Sequence, residues 1–127
     1  KIHEAKDSIE LWGTGKPLRQ FMYGGDLARI IKYMLDNDIV ENFNTAPKEV
    51  YTINEIANIA KKSCLKENLV VNYDKTKHDG QFRKDVDSSK LLSVLGDFKF
   101  TSLKDGIELT YFKIKNKKPL FRKLRVK

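Results

Sequence analysis

Cysteine is nearly absent from this sequence of 127 residues, and so are long apolar stretches. The single thiol, Cys64, cannot form an internal disulfide, which is typical of a reducing compartment. No apolar run approaches the roughly 20 residues that a membrane-spanning helix needs. We therefore expect a cytoplasmic protein without a membrane span.

The chain also lacks the residue spacings of a metal centre or of a hydrolase. His3, His78 and Cys64 stand far apart in the sequence and match no set of zinc ligands. No nucleophile elbow or comparable serine or cysteine signature occurs. His78 is expected to be a solvated loop residue and Cys64 a small core residue. Neither a metal site nor a catalytic residue is predicted.

One glycine-rich segment, GTGKP at residues 13–17, fits neither of the common phosphate-binding motifs. A P-loop has four residues between its glycines and a Ser or Thr after the lysine, but here one residue separates the glycines and Pro17 follows the lysine. A dinucleotide fingerprint fails as well, because Leu18 stands where the third glycine is required. The segment is therefore predicted to be a turn without a cofactor-binding residue.

The C-terminal segment of the sequence, residues 113–127, is basic and contains no acidic residue. Residues 113–127 hold eight Lys or Arg and no acid, while the rest of the chain has 17 basic and 17 acidic residues, so the net charge of +8 comes from this end. A solvated basic end is the simplest interpretation. Contact with RNA or with an anionic membrane surface stays open, because apolar residues alternate with the charges. We take residues 1–115 as the folded portion and residues 116–127 as a basic tail.

Alternating and β-branched stretches predict a few short extended segments, each bounded by turn residues. These segments cover residues 8–12, 19–23, 41–46 and 68–73. The first six residues are predicted to be the end of a helix, and a polar loop is predicted over residues 74–81.

Apolar periodicity and capping residues predict the helices. The first begins near Asp26, and its apolar face consists of Leu27, Ile30, Ile31, Met34 and Leu35. The second begins at a capping box of Thr52 and Glu55. Two more begin at residues 87–88 and at Ser102, and the earlier of these ends at Gly96.

Alternating helices and strands predict an α/β domain, but the strands are too few for a complete sheet. A lone strand leaves its backbone donors and acceptors unpaired, so partner strands upstream of Lys1 are expected. The chain is therefore expected to be a fragment with an exposed apolar face and an exposed sheet edge.

Several motifs follow one another in a fixed order: LWGTGKPLRQF at residues 11–21, GGDLA at 24–28, YTINEIANIA at 51–60 and KHDGQFRKDVDSSKL at 77–91. This pattern resembles the C-terminal part of the GDP-L-fucose synthase family, which belongs to the extended short-chain dehydrogenase/reductases. The Asp-Gly-x-x-Arg-Lys loop is its most specific element, although His78 replaces the usual proline before it. The resemblance covers residues 1–115, and the basic tail lies outside it.

The resemblance implies an α/β fold, namely the C-terminal part of an extended Rossmann-fold enzyme with an incomplete sheet and a small mixed substrate-binding subdomain. It implies no catalytic and no cofactor-binding residue in this chain, because the family's Gly-rich fingerprint and Ser-Tyr-Lys set lie in the N-terminal portion. The family positions near the substrate correspond to Lys1, Trp12, Arg19, Asp79 and Lys84.

The resemblance gives each of these residues a role at a nucleotide sugar. Arg19 and Lys84 would meet the diphosphate, and Trp12 would contact a sugar or base. Asp79 would accept hydrogen bonds from the substrate. Each also has a structural alternative: Arg19 and Lys84 as surface charges, Trp12 as a core residue and Asp79 as part of a turn.

The activity that the resemblance implies is that of an NADP-dependent epimerase/reductase, which makes GDP-L-fucose from a GDP-4-keto-6-deoxy sugar. NADP would be bound mainly by the N-terminal Rossmann portion, the full enzyme would be a homodimer, and this chain alone would be inactive. No nucleic acid partner is expected. Two alternatives remain: part of another nucleotide-sugar epimerase or dehydratase, and a non-catalytic α/β module whose basic tail contacts RNA or a membrane.

Overall fold

The computed structural model describes residues 1–116, which contain five strands and four helices. In chain order they are β1 (Ser8–Trp12), β2 (Leu18–Arg19), α1 (Gly24–Asp36), β3 (Tyr51–Thr52), α2 (Ile53–Ser63), β4 (Val70–Asp74), β5 (Arg83–Lys84), α3 (Ser89–Leu95) and α4 (Leu103–Asn116). None of the four helices has the length and apolar character that crossing a membrane requires. The predicted basic tail lies outside the described residues, apart from Asn116 at the end of α4.

The strands are divided between two small sheets. β1 and β4 form a parallel pair in which Ser8 lies opposite Val70 and Trp12 opposite Asp74. In the second sheet β2 is central, antiparallel to β3 and parallel to β5. Within residues 1–116 both outer edges of the β1–β4 pair are unpaired. The predictions of an α/β fold and of an incomplete sheet are confirmed.

The helices close around a modest core. Its buried apolar side chains come from β1, the four helices and the connecting segments, and α2 packs against α4. These side chains are Ile9, Ile30, Ala46, Ala57, Cys64, Leu69, Leu91 and Tyr111. The capping box at the start of α2 is confirmed. Thr52 Oγ1 accepts from the N–H of Glu55, and Glu55 Oε2 accepts from the N–H of Thr52 at 2.7 Å.

The apolar face predicted for α1 is only partly buried. Ile30 is 1% exposed and Met34 is half-buried, whereas Leu27, Ile31 and Leu35 are 40%, 48% and 73% exposed. These three exposed residues follow the i, i+4, i+8 spacing of one helix face. The expected exposed apolar face therefore lies on α1.

Two segment predictions were wrong. Residues 1–6 form a single turn, in which Ala5 N–H donates to the carbonyl of Lys1, and they do not form part of a regular helix. Residues 41–46 form no strand, because no neighbouring strand pairs with them. The N–H of Ala46 donates to Ser88 Oγ instead, at 2.9 Å.

Candidate functional site

A row of three residues crosses the second sheet on one face. Arg19 on β2 lies in register with Tyr51 on β3 and with Lys84 on β5. Residues that are directly paired across neighbouring strands project to the same side, about 4.8 Å apart from strand to strand. The pairing therefore places the two cations next to each other, although they are far apart in the sequence.

The short strands are held in register by the side chain of Gln20. Its carboxamide N–H donates to the carbonyl of Pro47 at 2.8 Å, and its oxygen accepts from the N–H of Val86 at 2.8 Å. One side chain thus connects the flanks of both β3 and β5 to β2. This explains why two-residue strands can hold Arg19 and Lys84 in a defined arrangement.

Arg19 and Lys84 have no ionic partner among residues 1–116, where no carboxylate lies within salt-bridge distance of either. The guanidinium of Arg19 donates only to the neighbouring carbonyl of Leu18, at 2.7 Å. Arg83 behaves differently, because two of its N–H groups donate to the carboxylate of Asp85, at 2.8 and 2.9 Å, and the two side chains form an ion pair. Of the Arg-Lys pair on β5, it is therefore the lysine whose charge is available to an anion.

The predicted turn at residues 13–17 is packed on two sides. Gly15 has a φ of 75°, and a Cβ at this position would lie 2.5 Å from the ring of Tyr73. The carbonyls of Gly15 and Pro17 accept the N–H groups of Asn54 and Ile53, the first residues of α2. The turn thus supplies acceptors for the N–H groups at the beginning of α2. Position 15 requires glycine, because the ring of Tyr73 packs against it.

Asp79 closes the third side of this turn. Its Oδ1 accepts from the N–H of Thr14 at 2.5 Å, and its Oδ2 accepts from the hydroxyl of Thr14 at 2.6 Å. These hydrogen bonds, with the charge of Lys16 nearby, hold the pKa of Asp79 below its usual value. The carboxylate faces the turn, so the N–H of Thr14 is not available to a phosphate.

Trp12 is 67% exposed at the end of β1, so it is not part of the core formed by residues 1–116. The ammonium of Lys77, in the loop before Asp79, lies 6.0 Å from the centre of the indole ring. Lys1 is placed differently from the other candidates. Its ammonium donates to the carbonyl of Glu10 at 3.1 Å, on β1.

The structure links four of the five candidate residues through direct neighbours. Trp12 precedes the turn that Asp79 binds, and Gly80 lies beside the guanidinium of Arg19, since a Cβ on Gly80 would be 3.9 Å from Nη2. Arg19 in turn pairs in register with Lys84. Lys1 makes none of these contacts.

Tyr51 and strand β5 were not anticipated from the sequence. Tyr51 borders a cleft of about 420 Å³, whose other aromatic residues are Phe21, Phe98 and Phe100. A tyrosine directly before the capping box was the available signal, but nothing local shows that it pairs with Arg19. β5 lies just after the segment predicted as a polar loop, and its two residues become a strand only by pairing with β2.

Two tyrosines do stand four residues before a lysine, the spacing of the catalytic pair in short-chain dehydrogenases. Tyr73 is the penultimate residue of β4, and its hydroxyl donates to Asn54 at 2.8 Å. Tyr111 and Lys115 lie on α4, but Tyr111 is buried in the core and its ring packs against His3. Neither pair faces a nucleotide-binding turn, so neither is assigned a catalytic role. Residues 1–116 also contain no cluster of three potential metal ligands.

Comparison with known proteins defines the class. Residues 1–59 match the NAD dependent epimerase/dehydratase family. The fold resembles a solved GDP-L-fucose synthetase from Naegleria fowleri, with a TM-score of 0.72 and 25% identity over 86% of this chain and 34% of that one. The resemblance is therefore confirmed: residues 1–59 carry the sequence pattern of this family, and the described residues have the fold of part of an extended Rossmann enzyme.

More specifically, the chain is a relative of the GDP-L-fucose synthases. It is 40% identical to GDP-L-fucose synthase 1 of Arabidopsis thaliana over 116 residues, which cover 87% of this chain and 35% of the plant protein. A GDP-mannoheptose C4 reductase from Campylobacter jejuni, solved with NADP bound, is 29% identical with a TM-score of 0.66, over 86% of this chain and 35% of that chain. The chain spans about a third of the length of the relatives that it matches.

Proposed function

We propose that this chain is the GDP-sugar-binding portion of an NADP-dependent epimerase/reductase, which makes GDP-L-fucose from a GDP-4-keto-6-deoxy sugar. The observation that carries the proposal is the pair of Arg19 and Lys84, which are neighbours across β2 and β5 and lack a carboxylate partner within residues 1–116. Two adjacent cations without an internal partner are suited to a diphosphate.

The two cations divide the task by their chemistry. Arg19 offers a planar fork of N–H donors to phosphate oxygens, and Lys84 adds a compact positive charge one strand away. Trp12 offers an exposed aromatic face to the base or the sugar. Asp79 binds the turn that follows Trp12, and the next residue, Gly80, lies beside Arg19. Lys1 is the fifth residue of the proposed set.

The cofactor does not fit the residues described here. The glycine turn at residues 13–17 directs its Thr14 N–H to the carboxylate of Asp79, whose negative charge would repel a phosphate. NADP would supply the hydride from the N-terminal portion of the enzyme. That portion would cover the exposed apolar face of α1 and one of the two open edges of the β1–β4 pair, in a protein that would act as a homodimer.

Binding of GDP to the full chain tests the proposal directly. Trp12 is the only tryptophan in the sequence, so its fluorescence reports on the site without a label. We expect GDP and GDP-L-fucose to change this signal saturably, and NADP to leave it unchanged. If GDP causes neither a saturable change in Trp12 fluorescence nor a binding heat in calorimetry, the assignment of the site is refuted.

A different sugar is the second candidate, because the Campylobacter jejuni relative is a GDP-mannoheptose C4 reductase. In that case the diphosphate contacts would be the same and only the sugar contacts would differ. Titration with a panel of GDP-sugars distinguishes the two candidates. Preference for a GDP-heptose over GDP-L-fucose would favour this alternative.

A further inference from the structure

The contact between Asp79 and Thr14 joins two segments that are 65 residues apart in the sequence. Both carboxylate oxygens are used by one residue, at 2.5 Å to the backbone nitrogen and 2.6 Å to the hydroxyl. Gly13 has a φ of 83°, and a Cβ there would lie 2.1 Å from Asp79 Oδ1. The carboxylate thus lies directly against the backbone of the turn. Any side chain at position 13 would occupy the space of the carboxylate, so this position requires glycine.

The contact lies next to other residues of the proposed site. Trp12 directly precedes the turn, and Gly80, which follows Asp79, lies beside the guanidinium of Arg19. In residues 1–116, Asp79 supplies the only side-chain hydrogen bonds of segment 77–82. That segment leads directly into β5, which carries Lys84.

We propose that Asp79 is a positioning residue, which fastens segment 77–82 to the glycine turn through Thr14 and so presents Trp12, Arg19 and Lys84 as one preformed surface. It acts on ligand binding through Thr14 and does not itself contact the ligand. A loop that is already ordered loses less conformational freedom when a ligand binds, so the contact increases affinity by preorganisation.

The competing view is the one that the family resemblance implies, in which Asp79 accepts hydrogen bonds from the substrate. The two views differ in what Thr14 does. If Asp79 acts through Thr14, removing the Thr14 hydroxyl must reproduce part of the loss caused by removing the carboxylate. If Asp79 binds the ligand directly, Thr14 is dispensable for affinity.

The ligand part of this inference rests on the proposed function, whereas the contact itself can be measured without ligand. We would prepare Asp79→Ala, Thr14→Val, their double variant and Thr14→Ser, with Asp97→Ala as a control of equal charge change elsewhere on the surface. Fluorescence anisotropy of Trp12 in the ligand-free chain, together with hydrogen exchange of the Thr14 amide, reports on order in the turn. GDP titration reports on binding, and the melting temperature reports on the global fold.

We expect Asp79→Ala to weaken GDP binding about tenfold and Thr14→Val about threefold, with the double variant no weaker than Asp79→Ala alone. Anisotropy should fall in the same order, Thr14→Ser should retain binding, and Asp97→Ala should match the wild type. Melting temperatures should stay close to the wild type, because the hydrogen bonds between Asp79 and Thr14 are exposed to solvent.

Two results would overturn the proposal. One is an effect of Asp79→Ala on GDP affinity with none from Thr14→Val and unchanged anisotropy, which would mean direct ligand contact. The other is unchanged anisotropy and amide exchange in every variant, which would mean that the contact orders nothing. If instead the variants loosen the ligand-free turn but the wild type does not bind GDP, the contact orders the turn and the proposed function fails.

Discussion

The carboxylate of Asp26 accepts hydrogen bonds from both the backbone N–H and the hydroxyl of Thr101, at 2.7 and 2.8 Å. Asp26 lies in the first turn of α1 and is 1% exposed, whereas Thr101 lies just before α4. Arg29, one turn further along α1, adds a third hydrogen bond at 2.7 Å. One buried acid thus joins the beginnings of two helices. This acid is the aspartate of the GGDLA motif at residues 24–28, one of the segments that carry the family resemblance.

Replacing Asp26 by Ala is expected to lower the free energy of unfolding by about 2–3 kcal/mol, because it removes hydrogen bonds to a charged group and leaves the Thr101 N–H without its partner. Urea denaturation of the full chain measures this. Asp36→Ala is the matched control on the same helix, since its pair with Lys32 is exposed, and it should change stability by less than about 1 kcal/mol. Equal effects of the two variants would contradict the structural role of Asp26.

The same carboxylate predicts an acid dependence of stability. Burial is the largest influence and raises the pKa of Asp26, but the hydrogen bonds from Arg29 and Thr101 together outweigh it and leave the pKa below 3.8. A folded-state pKa below the unfolded value contributes stability at higher pH, and that contribution is lost as the pH falls through the folded-state pKa. The wild type should therefore lose more stability than Asp26→Asn between neutral pH and about pH 3. The free energy of unfolding of both proteins is measured by urea denaturation at each pH. Equal losses of this free energy in the two proteins would contradict the prediction.

The glycine turn provides a test of packing. Gly15→Ala should cost more than about 1 kcal/mol, because the backbone is in the left-handed region and the new methyl group would meet the ring of Tyr73. Gly24→Ala, at the start of α1, has no neighbour within 4 Å and should be neutral or stabilising. Thermal denaturation of both variants tests the difference. A Gly15 variant as stable as the Gly24 variant would show that the turn is not constrained.

The elements that the sequence predicts well are those specified by short-range interactions. The capping box of Thr52 and Glu55 spans four residues, so its pattern alone shows where α2 begins. β1 was predicted at Ser8–Trp12, and the structure has the same bounds. The predicted strand at residues 68–73 was displaced by one or two residues, since β4 covers Val70–Asp74.

The parts that the sequence does not predict depend on partners far away in the chain. β5 has two residues and is defined only by pairing with β2, and the contact of Asp79 with Thr14 spans 65 positions. The family resemblance could place Asp79 near a ligand, but it could not show which way the carboxylate points. Periodicity likewise identifies the apolar face of α1 but does not show which of its residues another element covers.

Catalysis by the chain alone is expected to be absent. Its glycine turn is closed by a carboxylate, and Tyr111 of the Tyr111–Lys115 pair is buried, so neither feature is open to NADPH. The full chain, mixed with NADPH and GDP-4-keto-6-deoxymannose, should cause no fall in NADPH absorbance, while Arabidopsis thaliana GDP-L-fucose synthase 1 serves as the positive control. Turnover by the purified chain would show that this division of roles is wrong.

Removal of the Arg19 guanidinium should weaken GDP binding by about 1.5–3 kcal/mol, the usual contribution of a hydrogen bond to a charged group, which corresponds to roughly ten- to 150-fold in Kd. The chain offers a matched control on the adjacent strand. Arg83 has the same charge, but it is already paired with Asp85 through two of its five N–H groups, and its position in β5 directs it to the opposite face from Lys84. Calorimetric titration at fixed salt should therefore find Arg19→Ala strongly impaired and Arg83→Ala close to the wild type. Equal losses in the two variants would mean that GDP responds to net charge rather than to the Arg19–Lys84 pair, because a general electrostatic attraction does not distinguish the two faces of a sheet.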